Sequence, residues 1–101
     1  MSSSNGRINW RNFFNELGLV KPNLNRYEHQ DPHDFEMITP VGSLVIVTEK
    51  IDGSFHTGIY RSSKTGNMKS PLTSTTSNSF ARAVQIHESV EERLYEHTYP
   101  L

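Results

Sequence analysis

Residues 27–36, Tyr27-Glu28-His29-Gln30-Asp31-Pro32-His33-Asp34-Phe35-Glu36, carry two imidazoles and four carboxylates within a nine-residue window. Imidazole nitrogen and carboxylate oxygen together suit Zn, Mn or Fe(II). A helix would be needed to bring His29 and His33 to one face, and Pro32 between them opposes it. The cluster His29, Asp31, His33 and Asp34 is therefore read as a solvated acidic loop with Asx-type turns, and no metal or other cofactor is expected.

His87 is the second chemically capable residue. It falls within an apolar stripe at helical spacing, where a general base or a pH switch would use it. The spacing favours a neutral histidine at the edge of the core with one hydrogen-bond partner. Nothing in the sequence marks an activated nucleophile, and without cysteine there is no disulfide, thiolate metal site or cysteine nucleophile. Gly58-Ile59-Tyr60-Arg61-Ser62-Ser63-Lys64-Thr65 has the look of a phosphate loop, but it lacks the Gly before the Lys and lies on an expected strand. An enzyme is not expected.

Charge is unevenly placed. Residues 43–84 hold Lys50, Arg61, Lys64, Lys69 and Arg82 against Glu49 and Asp52, a balance of 5 − 2 = +3. Residues 85–101 hold Arg93 against Glu88, Glu91, Glu92 and Glu96, a balance of 1 − 4 = −3. Such a division offers one surface to an acidic or polyanionic partner and another to a basic one. The most basic projection is the expected hairpin tip, so Tyr60, Arg61, Lys64, Asn67 and Lys69 are the candidate partner-binding residues.

The elements that position these groups follow from pattern. Residues 1–7 are small and polar, and 1–8 read as a flexible N-terminus; residues 9–98 read as one domain. Trp10, Phe13, Phe14 and Leu17 recur at i, i+3, i+4 and i+7, which predicts a short helix over 9–17 that must dock its aromatic face. Residues 21–34 show neither helical nor strand period and read as an irregular connection. Three strands are predicted at Phe35–Thr39, Leu44–Lys50 and Phe55–Ser62. Pro40-Val41-Gly42-Ser43 separates the first two, and Asp52-Gly53 marks a hairpin between the second and third. A fourth short strand is placed at Asn67–Ser70 and ended by Pro71. From 62 to 79, ten of eighteen residues are Ser or Thr, which favours turns and caps. One of Ser77, Asn78 and Ser79 caps the last helix, which runs to about His97. Its stripe is Phe80, Ala83, Val84, His87, Val90 and Leu94, with Arg82, Gln85, Ser89 and Glu92 facing away.

The expected fold is α+β: a short helix, an antiparallel meander of three or four strands, and a C-terminal helix packed on one sheet face that bears either Val45 and Val47 or their alternating neighbours. At 101 residues with 34% hydrophobic content and a net charge of −1, the core is thin but the chain should fold. The longest unbroken apolar run, Leu44–Val47, is far shorter than the roughly 20 residues of a membrane span, and MSSSNGR lacks a signal-peptide core, so a cytoplasmic protein without membrane contact is expected.

In build the chain resembles the small inhibitors encoded by phages and mobile elements, anti-CRISPR proteins among them. That implies a non-enzymatic binding protein that docks on a larger protein or nucleoprotein complex and modulates it. The segment 43–96 is also similar in layout to AP2-type and integrase arm-binding domains, which implies direct nucleic-acid contact through the sheet as the alternative. A second copy of the chain is a further expected partner.

Overall fold

The computed structural model describes residues 8–19, 27, 29–62 and 70–99. A 3-10 turn over Trp10–Asn12 leads into a single helical turn, α1 (Phe13–Glu16). Four strands follow, β1 (Glu36–Val41), β2 (Leu44–Ile51), β3 (Ser54–Arg61) and β4 (Thr73–Ser77), and then α2 (Phe80–Thr98). The strands form one antiparallel sheet in the order β1-β2-β3-β4, with α2 packed against it. This is the expected α+β arrangement.

The turns follow residue chemistry. Asp52 and Gly53 have φ of 50° and 84° between Ile51 and its partner Ser54, the paired positive φ of a type I′ turn. Gly42 has φ of 62° between the partners Val41 and Leu44. Only Gly42 and Ser43 lie outside the strands here, so β1 runs through Pro40 rather than ending before it. The hydrogen bond from Lys50 N–H to Phe35 C=O explains why. It makes 35–50 a bonded pair, so by alternation odd residues of β1 turn their backbone groups toward β2 and even ones turn outward. Pro40 therefore occupies an outward position on an edge strand, where its missing N–H removes no ladder bond.

Among the described residues the fourth strand is Thr73–Ser77, after Pro71, and Ser70 is not part of a strand. Of the stretch expected there, Asn67–Lys69 lie outside the described residues. Threonine's branched side chain suits a pleated surface, and here pairing with β3 overrides the preference of hydroxyl residues for turns. The N-cap of α2 is Ser79, whose hydroxyl accepts the N–H of Arg82 at 3.0 Å.

The face that α2 covers is the one bearing Leu44, Ile46 and Thr48, the alternating neighbours of Val45 and Val47. The core on this face has two apolar parts. Phe13, Val41, Leu44, Ile46, Ile59, Ile86, Val90 and Leu94 form one; Phe55, Phe80, Ala83 and Val84 form the other. All six residues of the helical stripe are buried. Gln85 and Ser89, expected to face solvent, are buried too. Ser89 lines a groove with Gly18 and Leu19, and Phe13 shares a cluster with Ile86, so the N-terminal segment covers a flank of α2 and widens its buried arc.

The irregular connection also contributes to the core. Phe35 and Phe80 meet edge-on at 4.8 Å between ring centroids, and Tyr27 meets Phe80 at 5.6 Å. Lys50 straps this segment to the sheet: its Nζ donates to Asp31 Oδ1 at 2.9 Å and to Pro32 C=O at 2.7 Å, and lies 5.5 Å from the Phe55 ring centroid.

Candidate functional site

Two places combine chemistry with a definite position: the histidine between α2 and the sheet, and the sheet face that α2 leaves uncovered.

His87 is fully buried. Its Nδ1 lies 2.7 Å from Thr48 Oγ1 and its Nε2 lies 2.9 Å from Thr39 Oγ1, while Thr48 Oγ1 lies 2.9 Å from Thr57 Oγ1. The sequence suggested one partner; the structure supplies two. Thr48 and Thr57 are cross-strand partners, and Thr57 pairs in turn with Thr75, so a row of threonines crosses the sheet beneath the imidazole. One ring nitrogen donates and the other accepts, and the hydroxyl rotors suit either tautomer. Burial lowers the pKa from 6.5 to about 4, so the ring is neutral at pH 7. With both nitrogens engaged and no exposed surface, the ring holds helix to sheet.

The opposite face is built by alternation. Its three cross-strand rows are Glu36–Glu49–His56–Thr76, Ile38–Val47–Gly58–Ser74 and Pro40–Val45–Tyr60. Ile38 is 51% exposed, Val47 beside it is buried, and Ile51, at the end of the face, is 42% exposed. Gly58 is roofed by an aromatic ring: a β-carbon built there would stand 3.0 Å from Tyr60 Cε1 and 3.3 Å from its hydroxyl oxygen. Tyr60 thus folds back over the glycine, shielding backbone that lacks a side chain of its own. Apolar and aromatic groups form the middle of this face, with Val45, Val47 and Tyr60 on the central strands β2 and β3 and Ile38 on the edge strand β1.

Its acidic end has a specific geometry. Glu36 and Glu49 are direct cross-strand partners and, by the alternation set at Phe35–Lys50, form a non-hydrogen-bonded pair, the kind that brings side chains closest. Like charges placed this way disfavour the sheet. Neither carboxylate has an ion-pair partner among the described residues.

Of the residues expected at the hairpin tip, Tyr60 is half-buried on this face, and Arg61 is exposed at the end of β3 with its side chain on the other side of the strand. Lys64, Asn67 and Lys69 lie outside the described residues. In the acidic loop, Asp31 is taken by Lys50, and His29, His33 and Asp34 are exposed. Among the described residues no three His, Asp or Glu side chains gather into a metal-holding group, and no helix is long and apolar enough to cross a membrane. Sequence periodicity marked the strands but not which face would stay open. The exposed alternation Glu36, Ile38, Pro40 was the available signal. No family model matches the chain, and no curated protein or solved structure matches it.

Proposed function

We propose that this is a small non-enzymatic binding protein that docks on a larger protein or nucleoprotein complex and modulates or inhibits it, using the sheet face opposite α2 as its contact surface. The observation that carries this reading is Ile38, half exposed beside Val47 on a face the helix does not cover, with Tyr60 on the same face. An apolar centre with a charged margin is the usual anatomy of a protein–protein contact. Glu36 and Glu49 give the partner a sign: cationic side chains opposite them would relieve their mutual repulsion. The same carboxylates would repel a phosphate backbone, so this face suits a protein surface better than nucleic acid. Tyr60 belongs to this surface, and Arg61, Lys64, Asn67 and Lys69 stay proposed partner contacts on the strength of their charge and polarity in the sequence alone.

The test is affinity capture from the native host with the full chain as bait, with a nuclease control, comparing wild type with Ile38→Glu. An exposed substitution of this kind should change stability little. The expected result is a nuclease-resistant protein partner retained by wild type and lost by the variant. Equal capture by a folded Ile38→Glu protein would remove this face from the interface.

A further inference from the structure

The two edges of the sheet are not equivalent. On β1 the outward backbone positions are Glu36, Ile38 and Pro40; the proline offers no donor and the glutamate is charged, two features that discourage another strand from pairing there. On β4 there is neither. Ser62 N–H donates to Ser43 C=O, which makes 43–62 a bonded pair and fixes the alternation in β3: even residues turn toward β2 and odd ones toward β4. The odd residues of β4 answer them, so Ser74 and Thr76 turn both N–H and C=O outward, and both residues are exposed. Leu72 N–H also reaches Ile59 C=O, although Ile59 is partnered with Thr73. This extra residue is a β-bulge that confines the regular edge to Thr73–Ser77.

We infer that β4 is a self-pairing edge, and that two copies of the chain join there, antiparallel, about a two-fold axis through Thr75. The symmetry of the edge selects a second copy as the occupant. An axis at Thr75 places Ser74 opposite the partner copy's Thr76 and Thr76 opposite its Ser74, so each pair exchanges both N–H···O=C bonds and no outward donor or acceptor is left over. Side chains agree with this register: Ser meets Thr on the open face and Thr75 meets its own copy on the helix face, contacts that hydroxyl groups favour. From Ser70 to Ala81 the chain carries no charge, so the two edges approach without like-charge repulsion from these segments. A two-fold axis perpendicular to the sheet keeps both uncovered faces on one side. The product is a continuous eight-stranded sheet displaying two copies of the face that carries Ile38, and hence a bivalent binder if that face is the docking surface.

The experiment is sedimentation equilibrium of the full chain from dilute to concentrated solution, with amide hydrogen exchange followed residue by residue. The expected result is a mass that rises toward twice that of the chain, with Ser74 and Thr76 amides becoming protected in parallel. Thr76→Pro removes one outward donor without touching the β3–β4 ladder, and it should hold the protein monomeric with its other exchange protection intact. Thr76→Lys, which keeps the backbone donor and adds like charges at the seam, should weaken association in a salt-dependent way. A protein that stays monomeric at every concentration overturns the inference. So does a dimer whose Ser74 and Thr76 amides still exchange freely, because its contact lies elsewhere. Ile38→Glu should leave the dimer unchanged, so failure of this inference and failure of the docking face are read separately.

Discussion

Thr48 and His87 lie 39 positions apart in sequence, yet the threonine hydroxyl is 2.7 Å from the histidine Nδ1 in a site with no exposed surface. This contact sits on the seam between the two apolar parts of the core. Hydrogen bonds are directional, so it sets where along the sheet the helix rests, which apolar packing on either side would specify less sharply. A core of Val, Ile and Phe alone could tolerate sliding of the helix; a histidine needing two hydroxyls has one place to be.

Thr48→Val keeps the shape and deletes the hydroxyl, leaving His87 Nδ1 and Thr57 without that partner. A loss of about 1–3 kcal/mol in unfolding free energy is expected, the cost of a buried unsatisfied polar group. Thr48→Ser, which retains the oxygen, should lose less. Equal losses in denaturant unfolding would show that the methyl, not the hydroxyl, matters.

His87 also predicts a pH dependence. Its folded pKa is lowered from 6.5 to about 4, so between those values the unfolded chain binds more protons than the folded one. Stability therefore rises with pH across that window. The contribution is fully present above about pH 6.5, falls as the solution is acidified, and is gone below about pH 4, for a total of about 3 kcal/mol. Comparing unfolding at pH 7 and pH 4.5 for wild type and His87→Gln measures it. The variant should lose distinctly less on acidification, and parallel losses would assign the acid sensitivity to carboxylates.

Gly42, in the β1–β2 turn, lies against Thr98 at the end of α2. A β-carbon there would stand 2.9 Å from Thr98 Cγ2, and φ is +62°. Gly42→Ala should therefore destabilise by about 1–3 kcal/mol. Adding Thr98→Ser removes the methyl in the way and should recover part of the loss, while the φ strain remains. No recovery in thermal unfolding would mean that backbone strain alone sets the cost.

Val84 is buried between the helix and the aromatic part of the core. Val84→Asp places a carboxylate there with no cation to meet it, and a loss of about 4 kcal/mol or more should unfold much of a domain this small. Wild-type thermal stability in that variant would contradict the packing of α2 on this face.

Ile38→Glu tests the docking face and Thr76→Pro the backbone edge of β4, two positions on opposite edge strands of one sheet. How far each could be foreseen differs. Local chemistry announced the turns, because positive φ at Asp52 and Gly53 is a property of those residue types. Helical spacing announced the stripe from Phe80 to Leu94, because a helix repeats its face every three to four residues whatever it packs on. The cap at Ser79 and the antiparallel order follow from equally local rules.

Other features were decided only in three dimensions. Pro40 reads locally as a strand break, and only the pairing register shows that its missing N–H faces away from the sheet. Thr73–Ser77 reads as turn and cap material until β3 offers it a ladder, an interaction worth more than any local hydroxyl bond. Ser89 is buried on a flank of the helix where the N-terminal segment comes to lie, residues some seventy positions apart lining one groove. The partners of His87 come from β1 and β2, and no spacing within α2 names them. Periodicity shows that a strand has two faces; only the docking of α2 determined that Ile46 and Thr48 went inside and that Ile38 and Tyr60 were left at the surface.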